Sequence, residues 1–104
     1  MDATTPPAVT RALGAFGGHV RAWRKLNRLT MAQVADRADV SPDTLARLES
    51  GKSVSLENTF RVMRAMGMLD TWVRSADPLS TEVGQLRALD QLPTRVRTSP
   101  TRRS

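Results

Sequence analysis

The chain has 104 residues, a formal net charge of +6, no cysteine, and two Trp, two Phe and no Tyr as its aromatic residues. This length suffices for one small core of Leu, Val, Ala and Met, and the lack of cysteine excludes disulfides and thiolate metal sites. No apolar stretch approaches the roughly 20 residues of a membrane span, and the N-terminus shows no secretory pattern. We therefore expect a soluble, cytoplasmic protein with no membrane partner.

The first part of the chain combines a polar leader with an amphipathic helix. Residues 1–7 are polar with two prolines, which is typical of a flexible leader. Apolar residues then recur in steps of three and four and predict a helix reaching about Asn27: Val9, Leu13, Phe16, Val20 and Trp23. Gly14, Gly17 and Gly18 each cost about 1 kcal/mol relative to Ala inside a helix. Either the helix begins only near Phe16, or the glycines serve close packing.

Residues 29–51, LTMAQVADRADVSPDTLARLESG, predict two short capped helices joined by a tight turn. Thr30 caps the first helix, with Gln33 at the capping-box position, and Ser41 caps the second, with Pro42 at its first position. Asp39 stands where such a turn needs a left-handed residue, and Gly51 supplies the left-handed end. Two capped helices this close must cross, as in the helix-turn-helix geometry that places one helix in a DNA groove.

The remaining chain predicts one further strong helix and weaker ones. Ser55 caps a helix over 56–66 that Gly67 ends, and 68–75 predicts a short fifth helix. Asp77-Pro78 ends regular packing, 82–89 predicts one or two more turns, and disorder is expected from Pro93 onward. The domain prediction is therefore a flexible leader at 1–10, a domain at 11–76 and a linker with a basic tail at 77–104. Within the domain, the helix-turn-helix covers 30–51 and its recognition helix 41–50.

Basic residues cluster at two places. Residues 11–28 hold five basic residues and no acid, and residues 94–104 hold four arginines and no acid. Clustered Arg and Lys release counterions from phosphates, so a polyanion partner explains both clusters. Basic tails that only aid solubility are the alternative, and the neighbouring helical motif favours the polyanion.

The segment Val20 to Met68 resembles the Cro/cI-type (XRE family) helix-turn-helix domain. The matching stretches, in family order and without gaps, are VRAWRKLNRLT, QVADRADVS, TLARLESGK and SLENTFRVMRAMG. The resemblance implies an all-α, compact four- to five-helix repressor-like fold with flexible N- and C-terminal tails. It also implies a structural pair of Arg24 with Glu49, which makes physical sense because a bidentate Arg–carboxylate contact fixes the angle between two helices. The chain departs from the family at Met31, usually Gln, and at Asp39, usually Gly.

Within that family the chain is similar to HipB-like antitoxins. The features are GKSVSLENTFRVMRAMGMLD, a short apolar fifth helix, and a basic tail containing Arg95-Val96-Arg97. This likeness implies a HipA-like kinase toxin as a partner.

The predicted recognition helix should turn one side toward DNA, because Leu45 and Leu48 take the opposite side for the core. Arg47 is the candidate base reader, since Arg can bond guanine O6 and N7 together, with a phosphate contact or a solvated charge as alternatives. The full set of candidate DNA-binding residues is Gln33, Ser41, Pro42, Asp43, Thr44, Arg47, Lys52 and Ser53. Gln33, Lys52 and Ser53 are expected at the phosphate backbone, and Asp43 either accepts from cytosine or only favours the helix start.

No catalytic constellation, cofactor motif or metal site emerges from the sequence. His19 stands without cysteine or acid at ligand spacing, and GAFGG at 14–18 opens no strand-to-helix unit. Leu69, Trp72 and Val73 are surplus to a small core and predict a homodimer interface. The sequence thus predicts no enzyme but a dimeric repressor and HipB-like antitoxin that binds palindromic double-stranded DNA. A stand-alone or phage-type XRE repressor and a protein-interaction adaptor of the same fold are the alternatives.

Overall fold

A computed structural model describes residues 4–98, with side chains as far as residue 91. Within this range the chain is all-α. The helices are α1 (Pro7–Leu26), α2 (Met31–Ala38), α3 (Pro42–Glu49), α4 (Leu56–Ala65), α5 (Leu69–Ser75) and α6 (Glu82–Thr98), with a short 3₁₀ helix at Pro78–Ser80. The predicted all-α fold class is confirmed, with five α-helices before Asp77 and a sixth after it. Two compact units divide the chain, one ending at Asp70 and the other beginning at Thr71.

The first unit is built around two helix pairs. α1 packs against α3 and α2 against α4, while α2 and α3 cross in contact with each other. Each of the four helices contributes apolar side chains to one core, which comprises Val20, Val34, Ala35, Ala38, Leu45, Leu48, Val62, Met63 and Met66. Ala35, only 2% exposed, lies where α2 meets its neighbours, as its small side chain predicts.

The predicted caps begin three of these helices. The Thr30 side chain accepts from the Gln33 backbone N–H while the Gln33 side chain accepts from the Thr30 N–H, so the capping box is complete. Ser41 accepts from the Thr44 N–H at the start of α3, and Ser55 accepts from the Asn58 N–H at the start of α4. Each bond satisfies a backbone donor that a helix leaves open at its first turn.

Of the two alternatives predicted for α1, the structure has the long helix that includes the glycines. It begins at Pro7 and runs through all three glycines, so the predicted leader of residues 1–10 is wrong over 7–10; residues 1–3 lie outside the described range. The glycines serve packing. A Cβ on Gly17 would meet the carbonyl oxygens of Leu48 and Glu49, and one on Gly51 would lie 2.8 Å from the Gly14 Cα. The backbones of α1 and the α3 carboxyl end therefore approach closely, and this contact outweighs the helix cost of glycine.

The second unit contains the end of α5, the 3₁₀ helix and α6. Asp77 accepts from the Leu79 N–H and starts the 3₁₀ helix, on which α6 packs at Gly84. α6 continues through Pro93 to Thr98, which corrects the expectation of disorder from Pro93; a helix loses one hydrogen bond at a proline but need not end there. The side chains of Arg95 and Arg97, and all of residues 99–104, lie outside the described part. Among residues 4–98 no helix combines the length and apolarity needed to cross a bilayer.

Candidate DNA interface

α3 has one buried side and one exposed side. Leu45 is fully buried and Leu48 is 4% exposed, whereas Pro42, Asp43 and Arg47 are exposed and Thr44 is half-buried. The turn of 100° per residue that places the leucines inward places Asp43 and Arg47 outward. Asp43 and Arg47, four positions apart, therefore share the outer side of this short helix, and Pro42 and Thr44 lie at its two edges.

Two further residues belong to this outer side and were not among the predicted contacts. Ala46 and Ser50 are exposed, three positions after Asp43 and three after Arg47 respectively. Helical periodicity alone contains this signal, because residues three and four apart lie on the same face. Ala46 lacks a polar group and therefore went unnoticed, although an alanine methyl can contact the methyl of thymine.

The amino end of α3 is held by two hydroxyl groups. The Ser41 Oγ accepts from the Thr44 backbone N–H at 3.0 Å and donates to the Thr44 Oγ1 at 2.9 Å. These bonds fix both side chains at the point where the helix N-terminus offers partial positive charge. The arrangement suits an anion or a base edge presented to the start of α3.

Arg47 contacts the segment between α3 and α4. Its Nη2 donates to the Ser53 carbonyl oxygen at 3.1 Å, and the Arg47 carbonyl accepts from the Ser50 hydroxyl at 3.1 Å and from the Lys52 N–H at 2.9 Å. Lys52 and Ser53 are themselves exposed. The structure thus brings Arg47, Lys52 and Ser53 together at the carboxyl end of α3.

The amino end of α2 contributes Gln33. The carbonyl oxygen of its side chain accepts from the Thr30 N–H at 2.8 Å, so the capping role occupies that oxygen. The Gln33 side chain is exposed, and its amide N–H groups point to no hydrogen-bond acceptor within residues 4–98. Gln33 therefore has donors available for a phosphate oxygen. Met31, which replaces the usual Gln, is half-buried.

A shallow groove of about 300 Å³ separates α3 from α1 and the start of α2. Its lining combines charged, apolar and hydroxyl side chains: Arg21, Arg24, Met31, Ala46, Glu49 and Ser50. The outward residues Ala46 and Ser50 thus form one wall of a depression with Arg21 on the opposite wall.

Arg24 and Glu49 form the base of this groove. Arg24 Nε donates to Glu49 Oε2 at 2.7 Å and Nη2 donates to Oε1 at 3.0 Å, while Nη1 donates to the Leu29 carbonyl at 3.1 Å. The two side chains are 10% and 6% exposed. The hydrogen bond to Glu49 raises the pKa of Arg24, and burial opposes this rise. The bidentate pair therefore fixes α1, the link after it and the end of α3 relative to each other.

The predicted dimer residues differ in exposure. Leu69 and Trp72 are half-buried, and Val73 is 52% exposed.

Within the described residues, no group of three or more His, Asp and Glu side chains is arranged to hold a metal ion.

Comparison with known proteins gives one match. A family model described as "Helix-turn-helix" matches residues 20–71, which is half of the chain and extends from the middle of α1 into α5. No curated protein and no solved structure matches the chain.

Proposed function

The chain belongs to the helix-turn-helix family of the Cro/cI (XRE) type and is a DNA-binding transcriptional regulator, and from this premise we propose that it is a dimeric, sequence-specific repressor. Its ligand is a palindromic operator in double-stranded DNA, and its place of action is the cytoplasm. The family is one of regulators and not of enzymes.

The exposed side of α3 supports this proposal most directly. Asp43 and Arg47 lie on the side opposite the buried Leu45 and Leu48, with the half-buried Thr44 at its edge, so a single short helix can enter the major groove without disturbing the core. α3 is accordingly the recognition helix. In this proposal the Arg47 guanidinium, of which only Nη2 donates to the Ser53 carbonyl, bonds a guanine edge through its remaining N–H donors.

Residues around α3 position the domain on the phosphates. Gln33, with free amide donors at the start of α2, and Lys52 and Ser53, beyond the end of α3, flank the recognition helix. Contacts to phosphate fix register and orientation but carry little sequence information. Ser41 and Pro42 complete the set at the helix N-terminus, where an anion is favoured.

A homodimer supplies the second half-site. One short recognition helix reads only a few base pairs, and a twofold dimer matches a palindrome. Leu69, Trp72 and Val73 form the proposed interface, since Val73 exposes half of its apolar side chain. Sedimentation should then show a dimer at tens of micromolar; a monomer alone at that concentration contradicts this part of the proposal.

We also propose that the repressor acts as a HipB-like antitoxin beside a HipA-like kinase toxin. This finer assignment rests on the resemblance of residues 51–70 and the short apolar α5. A kinase-like gene next to this one supports it, and its absence favours a stand-alone or phage-type repressor.

Selection of bound fragments from the source genome tests sequence-specific binding. The expected result is an inverted repeat whose half-sites lie about 10 bp apart or a multiple of that distance. A loss of binding at high salt with no enriched sequence favours a protein-interaction adaptor with only non-specific affinity for DNA.

Replacement of Arg47 by alanine tests its role as a base reader. We expect a loss of about 1–3 kcal/mol on the best operator and a relaxed preference at one base pair, measured by competition binding. Arg87→Ala, an exposed arginine on α6, is the matched control and should leave operator binding unchanged. Equal losses of Arg47→Ala on operator and random duplex indicate a phosphate contact instead.

A further inference from the structure

A second groove lies on the first unit, between the carboxyl end of α2 and α4. It encloses about 480 Å³. Its apolar surface comes from Ala38, Phe60 and Leu69, and three arginines also line it, Arg37, Arg61 and Arg64. Phe60 and Leu69 are half-buried and thus remain accessible from the groove.

The three arginines differ in their partners. Arg61 donates to Glu57 Oε2 from Nε at 3.3 Å and from Nη2 at 2.9 Å, and its Nη1 donates to Asp39 Oδ2 at 3.3 Å. Glu57 thereby raises the pKa of Arg61. Arg37 and Arg64, both exposed, form no hydrogen bond or ion pair with any residue in the described range.

A structural role explains Arg37 and Arg64 only in part. Each lies in the last turn of its helix, where a cation is favoured by the helix dipole. That effect does not require the two side chains to border the same apolar depression. Their common position gives the groove two unpaired positive charges beside an apolar surface, which complements a ligand with carboxylates next to an apolar side chain.

The groove is separate from the DNA-binding side. No residue of α1 or α3 lines it, and the recognition helix presents its outer side through other residues. Two carboxylates, those of Asp39 and Glu57, also border the groove and disfavour a continuous phosphate backbone. A ligand in this groove and a duplex on α3 therefore use different side chains.

We propose that this groove binds an acidic segment of another protein. One apolar side chain of the segment contacts Phe60, and carboxylates on either side of it pair with Arg37 and Arg64. Arg61, already held by Glu57, forms a fixed part of the border. The regulator can thus hold a protein partner while it occupies DNA.

A fluorescein-labelled peptide of glutamates with one central leucine tests the proposal with the full chain. Fluorescence anisotropy should show binding, weakened on the order of tenfold when Arg37→Glu and Arg64→Glu are combined, since two attractive pairs become repulsive. The matched control combines Arg74→Glu and Arg87→Glu, two exposed arginines outside the groove, and should bind as the original chain does. Circular dichroism confirms that both double variants fold.

Four results overturn the proposal. The first is equal peptide affinity of the two double variants, and the second is equal affinity for a peptide in which serine replaces the leucine, since both indicate general attraction to a basic protein. The third is a loss of duplex binding in the groove variant as large as its loss of peptide binding, which makes the groove a phosphate contact. The fourth is that the original chain sediments as a dimer and the groove variant as a monomer, which shows that a second copy of the chain occupies the groove.

Discussion

Gly17 is the residue at which α1 comes closest to α3. An added Cβ would lie 2.8 Å from the Glu49 carbonyl oxygen and would also meet that of Leu48, and a backbone atom cannot rotate away as a side chain can. We expect Gly17→Ala to destabilise the fold by about 1–3 kcal/mol in urea unfolding. Gly18→Ala is the matched control: its Cβ meets open space, so the variant should gain about 1 kcal/mol from helix propensity. Equal effects of the two changes contradict the close approach.

The Arg24–Glu49 pair permits a second test at single residues. Because both side chains are largely buried, Arg24→Ala leaves the Glu49 carboxylate without a partner and should cost about 3 kcal/mol in unfolding free energy. Arg24→Ala combined with Glu49→Ala should cost less than the sum of the single changes, since neither charge is then stranded. Additive losses indicate that the two groups act independently.

At this scale the sequence predicts caps well and surface contacts less well. Thr30, Ser41 and Ser55 could be identified because a hydroxyl directly before a helical pattern is typical of a side chain that accepts a backbone N–H of the first turn. Ala46 and Ser50 were missed, since neither carries a group that stands out, and only periodicity places them outward. The bond from Arg47 to the Ser53 carbonyl depends on the path of residues 50–55, which no local pattern specifies.

All four helices of the first unit end in the same backbone motif. After α1, for example, the Leu29 N–H donates to the Arg24 carbonyl and the Arg28 N–H donates to the Lys25 carbonyl. In this motif the first residue beyond the helix end, here Arg28, adopts the left-handed conformation. Glycine occupies this position at Gly51 and Gly67, whereas Arg28 has φ 58° and Asp39 has φ 56°. The predicted left-handed Asp39 is confirmed, but Arg28 was not expected because arginine carries no turn signal.

This repeated ending predicts opposite effects of two substitutions. Arg28→Gly should stabilise the fold by about 1 kcal/mol, because glycine adopts positive φ without the contact between Cβ and carbonyl that penalises other residues. Gly67→Ala should destabilise it by a similar amount, since φ is +75° there and only backbone strain changes in the open surroundings. Thermal unfolding of the two variants checks both signs. A destabilised Arg28→Gly shows that the arginine side chain contributes more than the strain costs.

At the level of elements, the sequence left the start of α1 open and placed the end of α6 too early. Three glycines within residues 14–18 indicate a weak helix when only propensity is considered, but two of them, Gly14 and Gly17, take part in backbone contacts between segments distant in the sequence. For α6, Pro93 was taken as a boundary, although the helix continues to Thr98. In both cases the extent of the helix depends on more than the helix propensities of the neighbouring residues.

For the whole molecule, the core lies entirely in the first unit. Every buried side chain among the described residues belongs to positions 20–66. A chain shortened to residues 1–76 should therefore unfold cooperatively, with nearly the stability of the full chain in urea titration. A loss of the cooperative transition shows that the second unit is needed for the fold.

The same shortened chain locates the dimer contact. It keeps Leu69, Trp72 and Val73 but lacks α6, whose Val83, Leu86 and Leu89 are each about 60% exposed. If the shortened chain sediments as a dimer, the result supports the interface at α5. If it sediments as a monomer, the dimer contact lies in α6 instead. The sequence predicts a linker and tail after residue 76, but not that the chain from Thr71 forms a compact unit of its own, because this depends on contacts between segments.

The contact of Gly17 with the end of α3 has a practical consequence. Since backbone meets backbone there, α1 cannot turn without α3, and its 20 residues extend about 30 Å. The position of a nitroxide probe at the exposed Ala8 would consequently report the orientation of α3, the helix proposed to enter the major groove of DNA. Distances between two such probes, measured by pulsed electron resonance, would give the mutual orientation of two copies on one duplex without any label near the bases.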